Sequence, residues 1–204
     1  MQALAVCLSA IAGYVDAVGF LATGGYFVSF MSGNSTRLAV GIAHGAASAG
    51  ITAGLIGGFV LGVTLGSLCR SLAGAHRRSA VLLFVAALLA GAASLGMVEL
   101  NAPAVALTTL AMGALNAAFE QPGGGSVGLT YMTGTLAKIG QGIATTLLGK
   151  GGFAWLSYVA LWAGLLSGAV AGAMVYPALG MAALWLPAIV SVILALCTRR
   201  LRIG

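Results

Sequence analysis

Eight apolar segments occupy almost the whole chain, at about 3–22, 26–45, 48–69, 79–98, 103–119, 127–148, 153–175 and 180–198. Each is close to the ~20 residues that a helix needs to cross a hydrocarbon core. A bilayer offers no water to the backbone, so such segments satisfy their N–H and C=O groups by becoming helical. Hydrophobic residues are 60% of the chain and charged residues 6%, far too little polar cover for a soluble domain. These features predict an all-α integral membrane protein with a single membrane domain over residues 1–204. The N-terminus lacks a basic n-region, so a cleaved signal peptide is not expected. The net charge of +6 forms no basic stripe, so nucleic acid is not expected as a partner.

The chain repeats itself. Met31-Ser-Gly-Asn-Ser-Thr-Arg37-Leu-Ala-Val-Gly41-Ile-Ala43 returns as Met132-Thr-Gly-Thr-Leu-Ala-Lys138-Ile-Gly-Gln-Gly142-Ile-Ala144. Gly13-Tyr-Val-Asp16-Ala17 matches Gly113-Ala-Leu-Asn116-Ala117, and Gly54, Gly58 and Gly62 match Gly164, Gly168 and Gly172. The order is preserved throughout, which scattered glycines would not achieve. Two repeats of about 100 residues follow, at about 3–99 and 103–198.

Cations set the expected orientation of the repeats. Arg70, Arg77 and Arg78 form one cluster, and Arg199, Arg200 and Arg202 another. Cytoplasmic loops concentrate Lys and Arg, so both clusters belong on that side. The chain between them must then cross an even number of times, yet it holds five apolar segments. If the Met31 and Met132 segments are broken or re-entrant, three crossings remain per repeat. About six transmembrane helices and two inverted repeats result, with Lys150 inside and Glu99 outside. Eight full spans in parallel repeats are the alternative.

The breaks at Ser32-Gly33-Asn34 and Thr133-Gly134-Thr135 are the candidate site. Glycine lets a chain leave helical geometry, and Ser, Thr and Asn cap the helix that follows. Free N–H groups at that helix start favour a negative charge in front of them. Arg37 and Lys138 lie one turn further on, and Asp16 and Asn116 match in the preceding helices. A charge at membrane depth is expensive and marks a functional position. Asp16 is expected to pair with Arg37, whereas Asn116 cannot neutralise Lys138; Glu120 is the other acid within reach. The spare cation would suit an anion or a carboxylate. Simple polar turns at the membrane surface, and a Lys138 that snorkels to the interface, are the competing readings.

The remaining features point to packing. The Gly54–Gly66 and Gly164–Gly172 ladders let helices approach closely, with the third helices of the two repeats expected to meet each other or a neighbour in the same repeat, or to form a dimer face. Cys7, Cys69 and Cys197 read as buried small hydrophobes. Gly123-Gly-Gly-Ser-Val-Gly128 fits a dinucleotide motif in letters only, with no βαβ unit around it. No catalytic set, metal-ligand cluster or cofactor motif is present, and an enzyme is not expected.

At Gly13-Tyr-Val-Asp16-Ala17, Phe30-Met31-Ser-Gly-Asn34 and Thr130-Tyr131-Met132-Thr-Gly-Thr135-Leu136 the chain resembles the YoaK family of bacterial multi-pass membrane proteins, whose function is unknown. Ser32 stands where Thr is usual in that family, Leu129 where another Thr is common, and Asn116 in a region where Gln-Asn is common. The resemblance implies the bacterial inner membrane and names no substrate. The residues themselves point to a small-solute transporter or permease, with a midplane site between the breaks and access alternating as one repeat rocks against the other. The alternative is a structural or regulatory membrane protein whose breaks hold a lipid headgroup or a partner helix. A homo-oligomer is compatible with either.

Overall fold

The computed structural model describes residues 2–118 and 132–200, and these form helices and turns without strands. The helices are α1 Gln2–Ala22, α2 Met31–Ala43, α3 Ser48–Leu72, α4 Arg77–Met97, α5 Asn101–Ala117, α6 Met132–Leu147, α7 Leu156–Leu179 and α8 Trp185–Arg200. Glu120, the Gly123–Gly128 stretch, Leu129, Thr130, Tyr131 and Arg202 lie outside the described residues.

Among the described residues, four stretches are long and apolar enough to cross a membrane: Gln2–Ala22, Ser48–Leu72, Arg77–Met97 and Phe153–Arg200. The last holds α7 and α8 in tandem, joined by a 3-10 turn at Gly180–Leu184. Gly180 adopts φ +54°, which reverses the chain after Pro177 has weakened the end of α7. The turn then drops into the bundle, where Met181, Ala183 and Leu184 are buried.

The core is built by α1, α4, α5, α8 and this turn, through side chains such as Leu8, Val15, Leu82, Leu89, Met112, Leu115 and Leu184. Outside it the polarity of a soluble protein is inverted. Large apolar side chains cover the surface, with Leu68 53% and Val170 52% exposed. A bilayer is the solvent that suits such a face.

The glycine ladders close a different pair of helices from the pair expected. Rather than meeting each other, α3 and α7 each pack on the first helix of the other half of the chain, α3 on α5 and α7 on α1. A Cβ at Gly62 would run into the Leu110 carbonyl, and one at Gly66 into the Ala114 backbone. On the other side Gly164, Gly168 and Gly172 face Val6, Ala10 and Tyr14 in turn. Gly13 and Gly113 answer from the partner helices, against Leu165 and Phe59. The contacts rise together in both chains, so each pair runs parallel. The reason is reciprocal glycine: α1 and α5 each carry one of their own opposite a ladder, so backbones meet from both sides. Cys7 and Cys197 are a further correction, since both lie exposed on the apolar outer surface rather than buried.

Candidate functional site

The chain leaves α1 at Thr23-Gly24-Gly25. Gly24 and Gly25 take φ +69° and +118°, values that side chains with a Cβ rarely adopt. Gly25 N–H donates to the Phe20 carbonyl at 2.8 Å, which satisfies one of the free carbonyls at the helix end. Thr23 Oγ1 accepts from Tyr26 N–H at 3.0 Å and lies 2.8 Å from the Gly19 carbonyl oxygen.

Beyond this turn the chain runs back along α1 without helical structure. The Phe27 ring lies on Phe20 with centroids 4.9 Å apart. Val28 covers Gly19, and Ser29 reaches Asp16. The break is thus upstream of the predicted one. Ser32, Gly33 and Asn34 fall inside the first turns of α2, whose N-cap is Phe30 with no side-chain cap bond. Gly33 serves a different need from backbone bending: a Cβ there would strike the Phe30 and Phe27 rings folded over the helix start.

Asp16 does not pair with Arg37. Its Oδ1 accepts from Val28 N–H at 3.0 Å and from Ser29 N–H at 2.8 Å. Asn34, fully buried, closes the same strip from the other side. Its Oδ1 accepts from Phe27 N–H at 3.1 Å and its Nδ2 donates to Phe27 O at 2.6 Å. Two polar side chains therefore supply hydrogen bonds that a non-helical strip has lost by leaving the helix. Unmet, each buried backbone donor would cost about 1–3 kcal/mol. This is why a polar pair belongs here in so apolar a chain.

Arg37 is exposed and lies over the Tyr26 ring, 5.2 Å from its centroid. Lys138 is also exposed and stands 5.0 Å from the centroid of the Tyr158 ring. The matched cations thus adopt a matched mode, each resting on an aromatic face. In the second half Asn116 Nδ2 donates to Met112 O at 2.9 Å, Thr133 is exposed, Gly134 is half-buried and Thr135 is buried. The strip that would correspond to Phe27–Ser29 lies outside the described residues.

The structure does not bring the two motifs together. α2 rests on α3 and α6 on α7, and the two short helices make no comparable contact with each other among the described residues. Gly41 admits Ala49 at the first of these contacts, and Gly142 admits Trp155 from the 3-10 turn Phe153–Trp155 that leads into α7. An open cavity of about 580 Å³ lies instead beside the first hairpin, between α3 and α5, with Thr23, Tyr26 and Asn101 at one end. Thr23, Tyr26 and Phe27 were missed as site residues. The Gly24-Gly25 pair was the available signal, since glycine just past an apolar helix marks its stop.

Comparison with known proteins agrees with a membrane chain. A family model described as a protein of unknown function (DUF1275) matches residues 4–197. A UPF0700 transmembrane protein of Rhizobium meliloti (strain 1021) is 43% identical over 194 residues, covering 94% of this chain and 83% of that protein. No solved structure matches.

Proposed function

The chain belongs to the DUF1275 family of membrane proteins, as its resemblance to YoaK implied, and from that premise we propose that it is a small-solute permease. Its polar working element is the Thr23–Ala43 hairpin, and its solute is an anion or a carboxylate. The observation that carries this is the path of the hairpin: a non-helical strip laid back along α1 and held by Asp16 and Asn34. Non-helical backbone at membrane depth is tolerated where it is buried in protein or lines a cavity, and broken helices of this kind build transporter sites. α2 has 13 residues, about 20 Å at 1.5 Å per residue, against about 30 Å of hydrocarbon. That length favours re-entry over a crossing, and with it six spans, inverted repeats and several passes through a bacterial inner membrane.

The packing suggests which bodies move. The pairs α1–α7 and α3–α5 meet backbone to backbone, the first along its glycine ladder and the second at Gly62 and Gly66. Rocking one pair against the other keeps these contacts, whereas rocking one repeat against the other would break them. The hairpin ties the pairs together, since its strip is bonded to α1 and its helix rests on α3. No chemistry on the solute is required, and the protein is read as non-catalytic. A second reading has its own support. Arg37 and Lys138 are exposed, a placement that would also serve a lipid headgroup in a non-transporting protein.

A staple separates the two. The ideal Cβ of Gly19 lies 3.3 Å from Val28 Cβ, near the spacing of a disulfide. Gly19→Cys with Val28→Cys, on a background without the native cysteines, fixes the strip to α1. Uptake of small organic anions into proteoliposomes should be saturable, lost on oxidation and restored on reduction. Saturable uptake that oxidation leaves untouched rejects the hairpin as the working element. Absence of uptake across the anion panel favours the lipid-binding reading.

A further inference from the structure

One ladder is closed along its described length and the other is not. At Gly62 and Gly66 α3 touches α5 backbone to backbone, but a Cβ at Gly54 would meet nothing within 4 Å, and one at Gly58 would meet only Thr109 at 3.5 Å. The two helices therefore splay at the end nearer the hairpin. The matching position on α7, Gly164, faces Val6 at 3.0 Å, and Ser9 Oγ donates across that pair to the Leu161 carbonyl at 2.8 Å. The splay belongs to the first half and is not repeated in the second.

It forms the cavity of about 580 Å³, within the 300–1,000 Å³ typical of small-molecule sites. Its long walls are apolar, from Gly54, Leu55 and Gly58 on one side to Val105 and Ala106 on the other. Thr109 in the α5 wall already spends its hydroxyl on the Val105 carbonyl at 2.9 Å, and the other polar side chains lie at one end. Tyr26 and Asn101 line that end, and among the described residues neither the Tyr26 hydroxyl nor the Asn101 side-chain amide has a hydrogen-bond partner. Just beyond these lining residues, the Arg37 guanidinium lies over the Tyr26 ring and beside Gly25.

We propose that this groove binds a single-chain amphipathic carboxylate, with its head at Arg37 and its tail along Gly54 and Gly58. A small hydrophilic anion would leave the apolar walls unfilled. A neutral hydrocarbon would leave the polar end unanswered. A diacyl lipid brings two chains to one groove. The assignment rests on the hairpin and the anionic solute proposed above, and deepens that reading by naming Arg37 as the anion's partner and the solute class.

The test uses the full chain in nanodiscs of neutral phospholipid, with cis-parinaric acid as the fluorescent probe and unlabelled saturated carboxylates as competitors. Binding should be saturable, and each methylene removed from the competitor should weaken it by about fourfold. The alcohol of equal chain length should compete more weakly. Arg37→Gln should weaken the carboxylate by about tenfold or more, the scale of a hydrogen bond to a charged group, and leave the alcohol unchanged. Gly54→Leu should abolish binding while the protein melts as before, because the space it enters is empty. Ala106→Leu fills the groove from the opposite wall and should do the same. Unchanged binding in both leucine variants, or competition independent of chain length, overturns the assignment. So does displacement of the probe by a phospholipid more effective than any single-chain acid. Proteoliposome flux of the same acids judges transport separately: binding without flux keeps the site and rejects the permease, and flux without chain-length dependence does the reverse.

Discussion

Adding one methyl group to each of two glycines on matching ladders should have opposite effects. Gly168 faces Ala10 so closely that a Cβ would lie against the Ala10 carbonyl, while Gly54 faces open space. Both lie within helices, where replacing glycine by alanine gains about 1 kcal/mol from reduced backbone entropy. At Gly54 nothing opposes that gain, so Gly54→Ala should be neutral or stabilising by up to about 1 kcal/mol. At Gly168 the methyl must push α1 and α7 apart. Overpacking of this kind costs about 1–3 kcal/mol, and the shift also loosens the neighbouring contacts of Gly164 and Gly172. Together these losses outweigh the entropic gain, and Gly168→Ala should destabilise by about 1–3 kcal/mol. A chain of 204 residues moves by roughly 2–4 °C per kcal/mol, so Gly168→Ala should melt about 2–12 °C lower. The assay is thermal unfolding in detergent followed by size-exclusion fluorescence, with both variants in one background. Equal shifts for the two alanines, or a tolerated Gly168→Ala, would mean that the α1–α7 contact is not the close approach described.

Three further outcomes concern the hairpin and the orientation of the chain. Asp16→Ala should lower stability by about 1–3 kcal/mol for each of the two backbone donors it strands, and Asp16→Asn should cost less because its amide oxygen still accepts; equal melts for Ala and Asn would show that the Val28 and Ser29 bonds carry nothing. Asn34→Leu removes both bonds to Phe27, so hydrogen exchange at Phe27 should accelerate while that of α4 stays slow; unchanged exchange at Phe27 contradicts the clasp. Cysteines placed at 77 and 200 on a background without native cysteines should label from the same side of the membrane, and labelling from opposite sides rejects the inverted scheme.

Much of the architecture could be read from residues alone. Apolar length gave membrane helices, because a bilayer leaves the backbone no other state over such stretches. The boundaries of α1, α3 and α4 fell within a few residues of their apolar runs, whereas α8 begins only at Trp185, because the start of its run is spent in the Gly180–Leu184 turn. The repeat marked Asp16, Asn34 and Arg37 as positions worth watching. Their roles were beyond it. Periodicity reports which residues share a face but not which helix meets that face, so the ladders on α3 and α7 could not announce α5 and α1. A carboxylate in sequence order seeks the nearest cation, yet Asp16 took backbone N–H groups that only the returning strip delivers. The splay at Gly54 is of the same kind. Gly54 and Gly164 are equivalent letters, and only the packed helices decide that one closes on Val6 while the other opens into a groove.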